Sequence, residues 1–362
     1  MKTFRILFSV MVLALLLGAC NSEEANNNSE DGDKLTIYTS IYPLKDFAEK
    51  IGGEYVAVES IIPPGADSHT YEPTSKEVIE IAKSDAFIYN GLGMEAYAET
   101  IQETLQGEDV MMVEASSGVE VIEHTHDHAH EHAEGEASEE EHDHSHSEGE
   151  ASEEEHNHSH SEGEASEEEH DHEHEEGESS EDEHHHDHGD QDPHVWLDPY
   201  RAIVLAENIK DALIELKPEQ QETFEQNYET LKKELEELDS QFHTLIESKE
   251  NPEIVVSHAA YGYWEESFGI TQIPIAGLSP SEEPSQSELS DIVQLAKEHE
   301  IKYVIFETNV TPKVAEIIRE EINAEPLYLH NISTLTEEDL ENGEDYFSLM
   351  KANLETLDKA LQ

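Results

Sequence analysis

Cysteine occurs once in the chain, at Cys20, so no internal disulfide can form. Basic side chains are scarce: 19 Lys and Arg stand against 87 Asp and Glu, for a formal net charge of -68. Recognition of nucleic-acid phosphates needs stripes of Lys and Arg, so that class of partner is excluded and cations are favoured. Long apolar runs are missing too. The one continuous run, residues 6–17, holds about 12 residues, short of the roughly 20 that a transmembrane helix requires. No Walker-type phosphate loop and no His-Glu-x-x-His helix occurs, and Asn90-Gly91-Leu92-Gly93 is too short for a dinucleotide fingerprint and reads as a turn.

What is present divides the 362 residues into an N-terminal leader, two regions of α/β character and a low-complexity insert. Residues 1–20 carry Lys2 and Arg5, then the apolar run, then Leu17-Gly18-Ala19-Cys20. This segment resembles a bacterial lipoprotein signal, which implies that Cys20 is lipidated and becomes the mature N-terminus. Residues 21–33 form a polar tether. The insert, residues 123–191, repeats a unit of about 14 residues with Glu-Gly-Glu-Ala-Ser leading into His-x-His groups. It holds roughly 18 of the 24 histidines and about 30 acids, with no Lys or Arg and hardly any apolar side chains. Ordering a backbone costs about 1 to 2 kcal/mol per residue, which such a composition does not offset, so disorder without metal is expected. Its imidazoles suit Zn²⁺ as a weak collector, or the tract is a spacer with incidental affinity.

The remainder reads as two lobes. Residues 34–122 alternate strand and helix, the order of a parallel α/β unit, and residues 192–217 complete this lobe. Residues 218–250 form one long helix in which Phe224, Tyr228, Leu231, Leu235, Leu238, Phe242 and Leu245 make a single apolar stripe; a rigid connection between lobes is preferred over a coiled coil. Residues 251–362 repeat the α/β pattern. Three isolated histidines stand at the ends of strands or in constrained loops. His69 lies in a loop with three prolines, His194 between Pro193 and Val195-Trp196-Leu197-Asp198-Pro199, and His258 ends the strand of residues 253–258. In open α/β sheets ligands bind at the carboxyl ends of strands, so these three are the candidate metal ligands. His243 and His299 read as surface residues.

Taken in order, Leu17-Gly18-Ala19-Cys20, Pro64-Gly65-Ala66-Asp67-Ser68-His69-Thr70-Tyr71-Glu72-Pro73, the His-rich insert, Asp192-Pro193-His194-Val195-Trp196-Leu197-Asp198-Pro199, Ser257-His258-Ala259-Ala260-Tyr261-Gly262-Tyr263 and Pro274-Ile275-Ala276-Gly277-Leu278-Ser279-Pro280 resemble the zinc-specific solute-binding lipoproteins of ABC importers. That group is related to manganese-binding lipoproteins. The resemblance implies two Rossmann-like α/β lobes with parallel sheets joined by one long helix, with Zn²⁺ in the cleft. It also implies a non-enzymatic monomer anchored through Cys20 to the outer face of the cell membrane, serving a permease with a separate ATPase subunit, and only small lobe movements. Manganese relatives carry a carboxylate at the position of His258. Relatives also place an acid in the segment matching residues 327–333, where this chain has His330-Asn331-Ile332-Ser333. Either His330 replaces that ligand, or water completes a three-histidine site with Glu307 nearby. Rival readings are an importer for manganese or for divalent metals broadly, a zinc hydrolase, and a surface zinc buffer or adhesin acting through the tract.

Overall fold

The computed structural model describes residues 34–122, 191–310 and 312–362. The leader with Cys20, the tether and the repeats of residues 123–190 lie outside the described residues. In chain order the elements are β1 (Leu35–Thr39), α1 (Tyr42–Gly52), β2 (Val56–Ser60), α2 (Ser75–Ile81), β3 (Ala86–Tyr89), α3 (Ala98–Thr104), β4 (Met111–Glu114), α4 (Pro199–Leu216) and α5 (Gln221–Glu247). They continue with β5 (Glu253–His258), α6 (Gly262–Phe268), β6 (Thr271–Ala276), α7 (Gln286–Glu298), β7 (Tyr303–Glu307), α8 (Lys313–Ile322), β8 (Glu325–Leu329), α9 (Glu337–Asn342) and α10 (Tyr346–Ala360).

Two four-stranded sheets result, β2-β1-β3-β4 and β6-β5-β7-β8, and every pairing in both is parallel. Parallel strands are covered on both faces, and the sequence obliges: Ile37, Phe87, Ile88, Val255, Val256, Val304 and Phe306 are all buried. Each sheet reverses its strand order beside its first strand, β1 or β5. Such a switch point is where the loops diverge and leave room for a ligand.

α5 is 27 residues long, roughly 40 Å at 1.5 Å per residue. Lys217 leaves the helical region at φ -140, ψ 68, and Pro218–Gln220 form a single 3₁₀ turn before the helix, so the expected helix starts slightly late. The buried stripe ends on Ile246 instead of Leu245. A straight helix of 3.6 residues per turn drifts away from an alternating three-four spacing, and after Phe242 the fourth residue faces the core. One side of the stripe packs on α1 and α4 and the other end on α6 and α10, so the helix belongs to both lobes.

The lobes also share a core. A single cluster of buried apolar side chains runs from Leu35 and Phe47 through Trp196, Leu231 and Trp264 to Leu357. Phe47 of α1 meets Tyr346 of α10 edge-on, with ring centroids 4.9 Å apart. A second, smaller cluster, with Val255, Ile292 and Ile318, fills the space between the second sheet and α7 and α8.

A polar clamp crosses the same junction. Asp198 caps α4 by accepting from Arg201 N at 2.9 Å, with Pro199 in the first turn, where its missing N–H costs nothing. Its other oxygen accepts from Arg201 Nη1 at 2.8 Å and from Ser267 Oγ. The Arg201 guanidinium also pairs with Glu266, donates to Glu120 O at 2.9 Å and lies 4.7 Å over the Tyr263 ring. Asp198 is completely buried. Replacing Arg201 by Met therefore strands a buried carboxylate, and a loss of about 3 to 5 kcal/mol is expected in urea denaturation. Adding Asp198→Asn to that variant should recover most of the loss, since the buried charge is then gone.

Candidate metal centre

His69 lies in the loop between β2 and α2. Gly65 turns that loop at φ 73, a conformation that disfavours a side chain, and donates to Leu335 O at 2.8 Å, while Thr334 Oγ1 donates to Ala66 O at 3.1 Å. The loop is thus tied across to the loop that follows β8. Asp67 Oδ1 accepts from His69 N at 3.0 Å.

His194 is built the same way. Asp192 Oδ1 accepts from His194 N at 2.9 Å and stands 2.7 Å from its Nδ1. A carboxylate only accepts, so Nδ1 carries the proton and Nε2 keeps its lone pair. Both histidines therefore sit two residues after an aspartate that folds back on the backbone, an Asx-type turn. The Asp-x-His spacing is visible in the sequence at Asp67 and at Asp192, and it is the signal that would have found these two acids.

His258 is the last residue of β5 and is buried, as is His194, whereas His69 is half-buried. The ring centroids of the three lie 5.1, 5.4 and 5.6 Å apart, and one nitrogen from each falls within 4.8 Å of the other two. His69 Nε2 and His194 Nε2 are 3.2 Å apart. Two nitrogens bound at 2.0–2.1 Å to a tetrahedral ion stand about 3.3 to 3.4 Å apart, so this pair is already at ligand spacing. Among the described residues neither ring nitrogen of His258 has a hydrogen-bond partner. Burial, with His194 adjoining, holds its pKa well below the usual imidazole value of 6.5, so the ring stays neutral and able to donate.

Glu307, at the end of β7, is buried with Oε1 3.2 Å from His258 Nδ1. Its Oε2 accepts from Asn331 Nδ2 at 2.8 Å. Burial pushes this carboxyl up to about 8, with the charge of Asp67 adding to the shift and the Asn331 hydrogen bond opposing it.

His330 is not brought to the cluster. Its Nδ1 accepts from Ile332 N at 2.9 Å, which leaves Nε2 to donate to Asp339 Oδ2 at 3.0 Å, and its backbone is clasped by Asn353. With both ring nitrogens in use it serves as a bracket between β8 and the first turn of α9, where Asp339 also closes a capping box with Thr336. The expectation that His330 supplies a fourth nitrogen is corrected accordingly: the turn at Ile332, φ 62, points a backbone N–H at the ring. His243 and His299 lie at the surface, beside Asp239 and Glu253 respectively.

The profile of the periplasmic component A of zinc-uptake complexes matches residues 37–360. The chain belongs to this family. It is 32% identical over 361 residues to the high-affinity zinc uptake system protein ZnuA of Bacillus subtilis, covering 99% of this chain and 98% of that one. It is equally 32% identical to the zinc-binding lipoprotein AdcA of Streptococcus pneumoniae, but spans only 60% of AdcA's length. The crystal structure of the Zn(II)-bound ZnuA-like domain of that AdcA superposes with a TM-score of 0.65 at 28% identity, over 91% of this chain and 99% of the domain. The YcdH lipoprotein of Bacillus subtilis superposes at 0.64, also at 28% identity, over 91% of this chain and 99% of that one. The two-lobed architecture is therefore that of the family.

His330→Ala removes the partners of a buried N–H and of Asp339, so a loss of about 1 to 3 kcal/mol in urea denaturation is expected. Zinc affinity measured on the same variant should stay within a few-fold of the parent.

Proposed function

We propose that this protein captures Zn²⁺ outside the cytoplasm and presents it to the permease of an ABC importer whose ATPase is a separate subunit. The observation that carries the reading is the convergence of His69, His194 and His258, drawn from both lobes, with two Nε2 atoms at the spacing of tetrahedral ligands. Neutral imidazole suits zinc, whereas manganese favours oxygen donors. Membership of the zinc-uptake family and the zinc named for its relatives support the same cargo.

The three histidines are the ligands in this proposal, with Asp192 fixing the tautomer of His194. The protein acts as a monomeric carrier, not as an enzyme, held at the outer face of the membrane by lipid on Cys20. The residues that flank the His-rich tract are joined beside the site, since Asp192 N donates to Ile122 O at 3.2 Å, and the tract serves as a weak collector for a prebuilt site.

Zinc titration calorimetry on residues 21–362 with residues 123–190 replaced by a short linker tests the reading. One tight site is expected, lost in His258→Ala. If the shortened protein bound no zinc tightly, the tract would be the principal element and the surface-buffer reading would replace this one. Tight Mn²⁺ binding with weak Zn²⁺ binding would reassign the cargo.

An imidazole ligates only when neutral, and its unperturbed pKa is about 6.5, so protons compete with the ion in acid. Zinc affinity should therefore fall from pH 7.5 to pH 5.5 in chelator-competition titrations. Equal affinity at the two values would contradict a histidine site.

A further inference from the structure

We propose that Glu307, held by Asn331, is a positioning residue that fixes which ring nitrogen His258 offers to the metal. The inference rests on the zinc reading and assigns a tautomer-setting partner to the second lobe, as Asp192 is in the first.

The sheet register sets up the pair. β5 and β7 run parallel with Val256 opposite Ile305, so two residues further on His258 and Glu307 are neighbours at the carboxyl end of the sheet. Glu307 Oε1 lies 3.2 Å from Nδ1 and has no hydrogen-bond partner among the described residues. The contact is off-line for a hydrogen bond, and a turn of the imidazole would bring the N–H into line. With the ion's positive charge in the site the carboxyl is ionised and only accepts, so Nδ1 must carry the proton, which leaves the Nε2 lone pair for the ion.

The carboxylate is itself oriented. Oε2 accepts from Asn331 Nδ2, and the Asn331 amide has no freedom to flip, because its Oδ1 accepts from Ser333 N at 3.1 Å and from Ser333 Oγ at 3.0 Å. The NH₂ group therefore always faces Glu307. The same residue's backbone carbonyl accepts from Trp196 Nε1 at 2.7 Å, which ties this chain of contacts to the segment carrying His194.

This arrangement makes an isosteric change informative. In Glu307→Gln the side chain has one acceptor and one donor. Asn331 demands the acceptor, so the Gln NH₂ turns to His258 Nδ1 and selects the tautomer with the proton on Nε2, the wrong one for binding. Adding Asn331→Asp reverses the demand: the introduced carboxylate accepts from the Gln NH₂ and from Ser333, and the Gln oxygen again faces Nδ1–H.

The test uses residues 21–362 with the tract intact. Zinc affinity is measured by competition against a chelator strong enough to mask weak tract sites. The His258 tautomer is read from two-bond ¹H–¹⁵N correlations of the metal-free protein at about pH 9, above the value of about 8 to which burial raises Glu307, where its carboxylate only accepts. The His258 signals are identified by their loss in His258→Gln. Glu307→Gln should weaken zinc binding about 10- to 100-fold, the range for removing such a partner of a metal-ligating histidine, and move the His258 proton from Nδ1 to Nε2. The Glu307→Gln/Asn331→Asp variant should return both readouts to within a few-fold of the parent.

Parent-like affinity and tautomer in Glu307→Gln would overturn the proposal. So would a double variant that stays weak while the visible spectrum of its Co²⁺ form departs from the parent's, since Glu307 would then be a ligand itself. The tautomer readout needs no metal, so it judges Glu307 even if the parent bound no zinc and the function proposed above failed.

Discussion

Residues 192–198 run through the junction of the two lobes with every side chain buried, and a backbone there has no water to bond. The constraint this imposes is a complete one, and the fold meets it carbonyl by carbonyl. Asp192 O accepts from Tyr263 Oη at 2.7 Å and Pro193 O from Asn90 Nδ2 at 3.0 Å. His194 O and Val195 O accept from the N–H groups of Leu197 and Asp198 in a 3₁₀ turn. Trp196 O accepts from Tyr346 Oη at 2.7 Å, and Leu197 O from Trp264 Nε1 at 2.7 Å. Four of these six donors are aromatic or amide side chains from both lobes. A segment held this way has one conformation, and His194 inherits that rigidity.

The same pinning opposes rotation of one lobe against the other. Tyr263, Trp264 and Tyr346 stand on helices of the second lobe and bond to a segment of the first, within the shared apolar cluster. Rotating one lobe against the other would break buried hydrogen bonds and open close-packed surface together, and neither loss has a compensating gain. Affinity for a cation in such a site comes from donors that are already placed, so little ordering cost falls on the binding step. Of the three histidines His69, on the proline-rich loop, is the half-buried one.

Much of this was legible from residues alone. The strand and helix order, the bridging helix and the three histidines follow from periodicity, prolines and strand ends, because local sterics and burial act on short stretches. His330 shows where such reading fails. A histidine at a strand's end looked like another ligand, but Ile332 turns back on it and Asp339 lies nine residues on, and neither contact has a local signature. Leu245 gave way to Ile246 for a milder reason, the drift of a straight helix against an assumed spacing. Asp67 and Asp192 were the opposite case, with a short-range signal present in the Asp-x-His spacing.

What the sequence determined by itself is therefore the inventory: two parallel α/β lobes, a connecting helix, a polyanionic insert rich in imidazole, and nitrogen donors fixed by proline and strand termini. What only the tertiary structure decided is the company those donors keep. Glu307 and Asn331 are far apart from His258 in sequence and meet it through the register of β5 with β7 and the turn after β8. Register is a property of paired strands, and hydrogen-bond polarity is a property of closed networks. For His258 the nitrogen that carries a proton is set by both, and no local pattern of residue types contains it.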